Sequence, residues 1–224
     1  NYEMQMCRTG KINGVNYQDS LFRGIEVDGD SVDSDKIQFE RALVNSQISN
    51  ILKQAGVDTS SITKDCTFTV DPYSYEITVD GVDEKTKVLM QNALNVGNNG
   101  KNLYKHIYYC STQDGCESSQ VTEESKMKYE AYHQVYSYTG YGLDKLEEKN
   151  GTYYTESGEN ILDLVDSAVE SSGKVPKEFK QQMKNWIHDL VSTISTRGWN
   201  NVPDMTLSIL YGKSGLKDMN QLIT

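Results

Sequence analysis

Glu130-Ala131-Tyr132-His133 sets a carboxylate and an imidazole three residues apart, the spacing with which four-helix bundles hold a di-metal centre. Such a centre needs the motif twice, with further carboxylates from facing helices. Here it occurs once, and neither His106 nor His188 has a Glu three residues upstream. The ligand count fails, so the residues predict no metal site and no cofactor. The stretch Asp28 to Asp35 alternates oxygen-bearing side chains as a calcium loop does, yet positions five, six and twelve counted from Asp28 are Val32, Asp33 and Phe39. Those residues read instead as a helix start, with Asp33 or Ser34 as the cap and Asp35 at the positive end of the dipole. A nucleophile would need a base and an orienting acid beside it. The chain has no Gly-x-Ser-x-Gly, no Cys-x-x-Cys and no His-Glu-x-x-His, and Gly97 to Gly100 lacks the Lys-Ser/Thr ending of a phosphate loop. No catalytic residue is therefore assigned. A hydrolase site assembled from distant residues around His106, His133 or His188 is the alternative reading.

Tyrosine is the residue type that stands out. Ten of the fifteen fall between Tyr104 and Tyr154. Each brings a broad rigid apolar face and a polar tip at low entropic cost, which suits a recognition surface for protein or carbohydrate. The spacings Tyr104/Tyr108 and Tyr129/Tyr132/Tyr136 also fit a buried helical seam. Tyr108, Tyr132, Tyr136, Tyr141, Tyr153 and Tyr154 are the candidate binding residues.

The elements that must position them follow from periodicity. Residues 1 to 34 are rich in Gly, Asn, Asp and Ser and read as an irregular arm, with an edge strand expected over Leu21 to Val27. From Asp35, apolar positions Ile37, Val44, Ile48, Ile51, Leu52 and Ala55 share one helical face up to Gly56, a C-cap glycine. Two alternating runs, 67–70 and 75–79, flank a proline turn and read as a β-hairpin spanning residues 66–80. A helix over 83–96 carries Leu89, Ala93 and Val96, and a second resumes beyond the glycine turn with Leu103, Ile107 and Cys110. Thr122 opens the next helix, with Met127, Ala131, Val135 and Tyr138 aligned, closed by Gly140. Gly151 to Ser157 suggests a second small hairpin. Ile161, Leu162, Val165, Ala168 and Val169 mark another helix. The last, with Pro176 in its first turn, aligns Phe179, Met183, Trp186, Ile187, Leu190 and Ile194. A C-terminal strand is expected over 205–211, beside the hairpin.

The fold class is therefore α+β, mainly helical, with about six helices, and the domain organisation is the arm 1–34 followed by one globular domain over 35–224. Leu, Ile, Val and Phe supply 49 of 224 residues, above the roughly 20% below which high charge predicts disorder, so the chain is expected to fold and to be soluble. The net charge of −10 disfavours nucleic acid and anionic lipid as partners, since neither would find the cations that neutralise phosphate. No apolar run is long enough to span a bilayer. Cys7, Cys66, Cys110 and Cys116 leave the redox compartment and the localisation undecided. Cys110 and Cys116 flank a turn-rich segment, and both a disulfide and two thiols remain open there.

The stretch Phe68 to Gly81, with Asp71-Pro72-Tyr73-Ser74-Tyr75 at its centre, followed by Leu94-Asn95-Val96-Gly97-Asn98-Asn99-Gly100-Lys101-Asn102-Leu103-Tyr104-Lys105-His106-Ile107, resembles a family of uncharacterised Gram-positive bacterial proteins that share a domain of unknown function. The resemblance covers about residues 66–170. It implies a bacterial origin and carries no site or activity. The leading expectation is a non-enzymatic interaction module with a tyrosine-rich surface, and a structural segment of a larger protein is a further alternative.

Overall fold

The computed structural model describes residues 11–12, 15–16, 31–112 and 120–219. In chain order these form β1 (Lys11–Ile12), β2 (Val15–Asn16), α1 (Ser31–Gln54), β3 (Cys66–Val70), β4 (Ile77–Asp80), α2 (Glu84–Leu94), α3 (Asn99–Thr112), α4 (Glu123–Thr139), β5 (Glu147–Lys149), β6 (Thr152–Tyr154), α5 (Ile161–Ser171), α6 (Lys180–Arg197), β7 (Leu207–Gly212) and β8 (Gly215–Lys217). The chain is mainly helical α+β. It divides into two compact units, one built from residues up to Cys66, Gly81–Leu94 and the stretch from Leu210, the other from Thr67–Asp80 and Asn95–Ile209.

In the first unit α1 packs on α2 and on β8. Leu43, Ile48 and Leu52 of α1 are buried, as are Met90 and Leu94 of α2 and Leu210, Tyr211 and Leu216 of the final hairpin. Helix α1 ends as its sequence requires. Gly56 takes φ +77, its N–H reaches the carbonyl of Lys53, and the N–H of Val57 reaches that of Leu52, the paired bonds of a Schellman close. Its start differs from expectation. The backbone is helical from Ser31, so Asp33 and Ser34 lie inside the first turn rather than at the cap. The stripe expected on α2 shifts as well. Met90 and Leu94 are buried, whereas the helix stops at Leu94 and leaves Val96 beyond it, 63% exposed. The short pair β1 and β2, joined Lys11 to Asn16 and Ile12 to Val15, stands within the expected arm, while the edge strand expected over 21–27 lies outside the described residues. So does Cys116, and with it the Cys110–Cys116 pairing.

The second unit is a helical layer with strands at its edge. α4 packs on α5 and α6, these two pack on each other, and β6 contacts both. The shared core is Ala131, Tyr132, Val135, Leu143, Tyr153, Ile161, Val165, Val169, Ile187, Leu190, Val191, Ile194 and Val202. These fall at helical spacing on each helix, which is why the periodicity was readable. Two expected members do not join. Phe179 precedes α6 in a 3-10 turn at 53% exposure, and Trp186 is 38% exposed, because the buried stripe turns toward Leu190 and Val191. α4 opens on Thr122, whose hydroxyl accepts from the N–H of Ser125 while the Ser125 hydroxyl accepts from that of Thr122. It closes on Gly140 at φ +75. β3 and β4 pair antiparallel in the register Val70 to Ile77, with β7 on the other side of β3. β7 runs on into the first unit, where Leu210 pairs Lys217 of β8. β5 and β6 form the second hairpin, in the register Glu147 to Tyr154.

Candidate functional site

The site grows from the turn between β3 and β4. Asp71 folds it by accepting from the N–H groups of Tyr73 at 2.9 Å and Ser74 at 2.7 Å, an Asx turn that throws Tyr73 and Tyr75 outward from the strands. Tyr75 takes φ +60, an unusual value for a side-chain-bearing residue. It is held there from outside. Asn95 accepts from the Ile77 N–H at 2.7 Å and donates to the Ile77 carbonyl at 2.9 Å, and a Cβ on Gly100 would fall 1.9 Å from the Tyr75 carbonyl oxygen. Only glycine lets the first turn of α3 come this close.

Against this turn stands the inner face of α4. The rings of Tyr75 and His133 stack at 5.3 Å, those of Tyr104 and Tyr129 at 5.3 Å, and the Tyr75 and Tyr129 hydroxyls lie 2.8 Å apart. His133 Nε2 is 2.7 Å from the Pro72 carbonyl, an oxygen that can only accept, so Nε2 carries a hydrogen. Burial lowers the His133 pKa, helped by Lys101 and opposed by the Pro72 bond and by Asp71. Burial likewise raises those of Tyr75, Tyr104 and Tyr129. The Tyr104 hydroxyl donates to the Met205 carbonyl at 2.8 Å.

The cluster continues through Tyr73, whose ring lies 4.4 Å from that of Tyr132 and 5.5 Å from that of Trp199. Lys128 is the buried charge at its centre. With 2% of its side chain exposed, it donates to the Val202 carbonyl at 2.8 Å, pairs Asp204 at 2.7 Å and places Nζ 4.4 Å from the centre of the Trp199 ring. The Tyr73 hydroxyl donates to the same Asp204 oxygen at 2.5 Å. Toward solvent the aromatic set ends in Tyr136, 52% exposed, its ring parallel to that of buried Tyr132 at 5.9 Å and 5°.

Beside this edge opens a cleft of about 370 Å³, bounded by Leu143, Leu146 and Tyr153 and by the short turn Trp199–Asn201. Asp144, Glu148 and Asn200 also line it. Asp144, after burial, pushes the Tyr132 pKa up to about 12. The Tyr153 hydroxyl is buried against the Glu148 carboxylate, its hydrogen-bond partner. Burial and the neighbouring Glu148 carboxylate raise its pKa.

The six candidate tyrosines are thus dispersed. Tyr132 and Tyr153 are core residues that touch the site from within, Tyr136 and Tyr141 are exposed at its edge, and Tyr108 is half-buried on α3. Tyr154 is half-buried under the Lys149 ammonium at 4.9 Å. The sequence reading missed Lys128, Asp204, Trp199 and Tyr73. For Lys128 a signal existed, since it lies three, four and seven residues before Ala131, Tyr132 and Val135 and so continues their buried stripe.

The three histidines belong to three different helices, α3, α4 and α6. His188 Nε2 meets Asp166 at 2.8 Å, and among the described residues no hydroxyl or thiol hydrogen-bonds to that ring. Cys110 Sγ lies 3.9 Å from Nδ1 and 3.7 Å from Nε2 of His106, within the reach of a hydrogen bond to sulfur. Among the described residues no three His, Cys, Asp or Glu side chains gather as metal ligands, and no helix is long and apolar enough to cross a membrane.

The sequence model of the family described as "Domain of unknown function (DUF4885)" matches residues 1–223. The chain belongs to that family. The resemblance carried by Phe68 to Gly81 and Leu94 to Ile107 of this DUF4885 chain therefore extends over residues 1–223. An uncharacterized protein of Bacillus subtilis (strain 168), YbdO, is 30% identical over 220 residues, which are 98% of this chain and 55% of YbdO. The DUF4885 chain thus spans about half the length of that relative, whose Gram-positive source agrees with the resemblance. No solved structure matches it. The biochemical function of the family is unknown.

Proposed function

We propose that the chain is a non-enzymatic binding module that docks a protein or carbohydrate partner on the edge formed by Tyr136, Tyr141 and Trp199. The observation that supports this is the stack of exposed Tyr136 on buried Tyr132. A solvent-facing ring held parallel to a core ring has little rotamer freedom left to lose, and preorganised aromatic faces of this kind are what binding surfaces use. Tyr141 follows the Gly140 cap and is exposed as well. Replacing both by Ala (Y136A/Y141A) should leave the unfolding midpoint within about 0.5 kcal/mol of the native value, because exposed side chains contribute little to the core. Affinity capture from the source organism should then retain a species on the native protein that the double variant loses. Equal retention by both would remove the reading. A structural role within a longer protein is the second reading, favoured by the 55% share of YbdO that the chain matches, and the intact mass of the native polypeptide tests it.

A further inference from the structure

We propose that the exposed face at the start of α6, made by Phe179, Met183 and Trp186, docks an acidic peptide segment that carries apolar side chains. It shares no residue with the edge at Tyr136, Tyr141 and Trp199, so neither reading depends on the other. Phe179 is 53% and Trp186 38% exposed, and Met183, partly buried against the core, lies between them in sequence. Spacings of four and three residues bring the three side chains to one side of the helix. α6 reaches its core through Ile187, Leu190, Val191 and Ile194, and the Phe179 and Trp186 rings stay outside that contact.

The charge around these rings is opposite to that of the chain. Residues 170–186 hold four lysines, Lys174, Lys177, Lys180 and Lys184, against two carboxylates, Glu170 and Glu178, a net +2 within a chain of −10. Two of the lysines serve the fold. At the end of α5, Lys180 donates to the Glu170 carbonyl and Lys184 pairs the Glu170 carboxylate at 2.9 Å, cations where a helix end is negative. Lys174 and Lys177 are exposed and make no ion pair among the described residues. Glu170 senses the combined field, its carboxyl held below the ordinary value by Lys184 first and then by Lys180 and Lys177. The first turn of α6 holds no acidic residue, and lysines at the positive end of a helix dipole cost stability rather than add it. Their placement suits an anionic partner better than it suits the helix.

Exposed rings and unpaired lysines together select the occupant. A peptide with carboxylates beside apolar side chains sets the first over Lys174 and Lys177 and the second on Phe179 and Trp186. Extended polyanions fare worse. The Debye length is about 8 Å at physiological ionic strength, so a peptide lying on the face senses its local charge. An anionic bilayer or a nucleic acid reaches past it and meets the carboxylate excess of the rest of the chain.

The test titrates the full chain into a short fluorescein-labelled peptide in which Glu alternates with Leu and Phe, followed by anisotropy. The same peptide with Lys in place of Glu, and vesicles of phosphatidylglycerol, are titrated separately. We expect saturable binding of the Glu peptide alone, weakened several-fold as salt rises from about 50 to about 300 mM. Lys174→Glu/Lys177→Glu should weaken it about 10-fold or more and leave the urea midpoint close to native, since neither lysine makes an ion pair. Phe179→Ser should weaken it about 5-fold or more, again without loss of stability. The Tyr136/Tyr141 variant should bind as the native chain does, and loss of the peptide there would move the contact to that edge and overturn the proposal. Silence toward the Glu peptide, equal binding of the Lys peptide, or native affinity in both the lysine and the Phe179→Ser variants would overturn it as well. Vesicle binding in place of peptide binding would assign the face to a lipid surface and end the proposal.

Discussion

Replacing Lys128 by Met and Asp204 by Asn, singly and together, probes the buried charge that anchors Trp199. Lys128 is 2% exposed in its side chain and Asp204 48%, so the pair is asymmetric. Lys128→Met removes the donor to the Val202 carbonyl, which leaves that oxygen unsatisfied at about 1 to 3 kcal/mol, and the contact with the Trp199 ring, about 0.5 to 2 kcal/mol. Against this, an ammonium no longer has to be held out of water, and Asp204 can rehydrate at the surface. The net expected loss is about 2 kcal/mol. Asp204→Asn instead strands the buried ammonium and deprives the Tyr73 hydroxyl of its charged acceptor, and breaking such a pair from the exposed side should cost about 3 kcal/mol or more. The double variant has no stranded charge, so its loss should return to about 2 kcal/mol, well short of the roughly 5 kcal/mol that additivity gives. Urea unfolding followed by Trp199 emission in the Trp186→Phe background reads this directly. Simple additivity, or a Lys128→Met loss under about 0.5 kcal/mol, would show that the ammonium is not held as described.

Gly100→Ala should destabilise by about 3 kcal/mol in the same assay despite a helix-propensity gain of about 1 kcal/mol, because its Cβ meets a backbone carbonyl at 1.9 Å that Asn95 and His133 prevent from moving away. Gly173→Ala, with nothing within 4 Å, is the control and should be neutral or slightly stabilising. His133 gives a pH prediction. Its folded pKa lies below its unfolded one, so the unfolded chain binds the extra proton first, and stability present above about pH 6.5 should fall as pH drops toward the folded value. Urea midpoints between pH 7.5 and 5 should show that decline in the native protein and a shallower one in His133→Gln. Parallel curves would place the titration elsewhere.

Elements with one apolar face were legible in the sequence, and for a single reason. Ala131, Val135, Ile161, Val165, Val169, Ile187 and Ile194 recur at helical spacing because one layer of helices buries them all. The caps at Gly56, Thr122 and Gly140 were legible too, since each satisfies its backbone groups with residues close in the chain. What escaped depends on distance in sequence. Trp199, Lys128 and Asp204 meet across 71 to 76 positions, and no local pattern encodes that meeting. The tyrosine density did not separate Tyr136, which faces solvent, from Tyr153, which closes the core. Helical spacing cannot tell a seam from the ring that caps its edge.

The interleaving of the two units orders events during synthesis. The first unit draws on Gly81–Leu94 and on the stretch from Leu210, with Asn95–Ile209 between them. A ribosome making this chain therefore releases every helix of the second unit before the strand residues that complete the first. Helix α1 must wait, unfinished, for β8 to arrive at its side, where Asn45 accepts from the Leu216 N–H at 2.8 Å. A chain ending near Ile209 would hold every helix of both units and still lack the strands that complete the first, leaving α1 without the β8 it packs on.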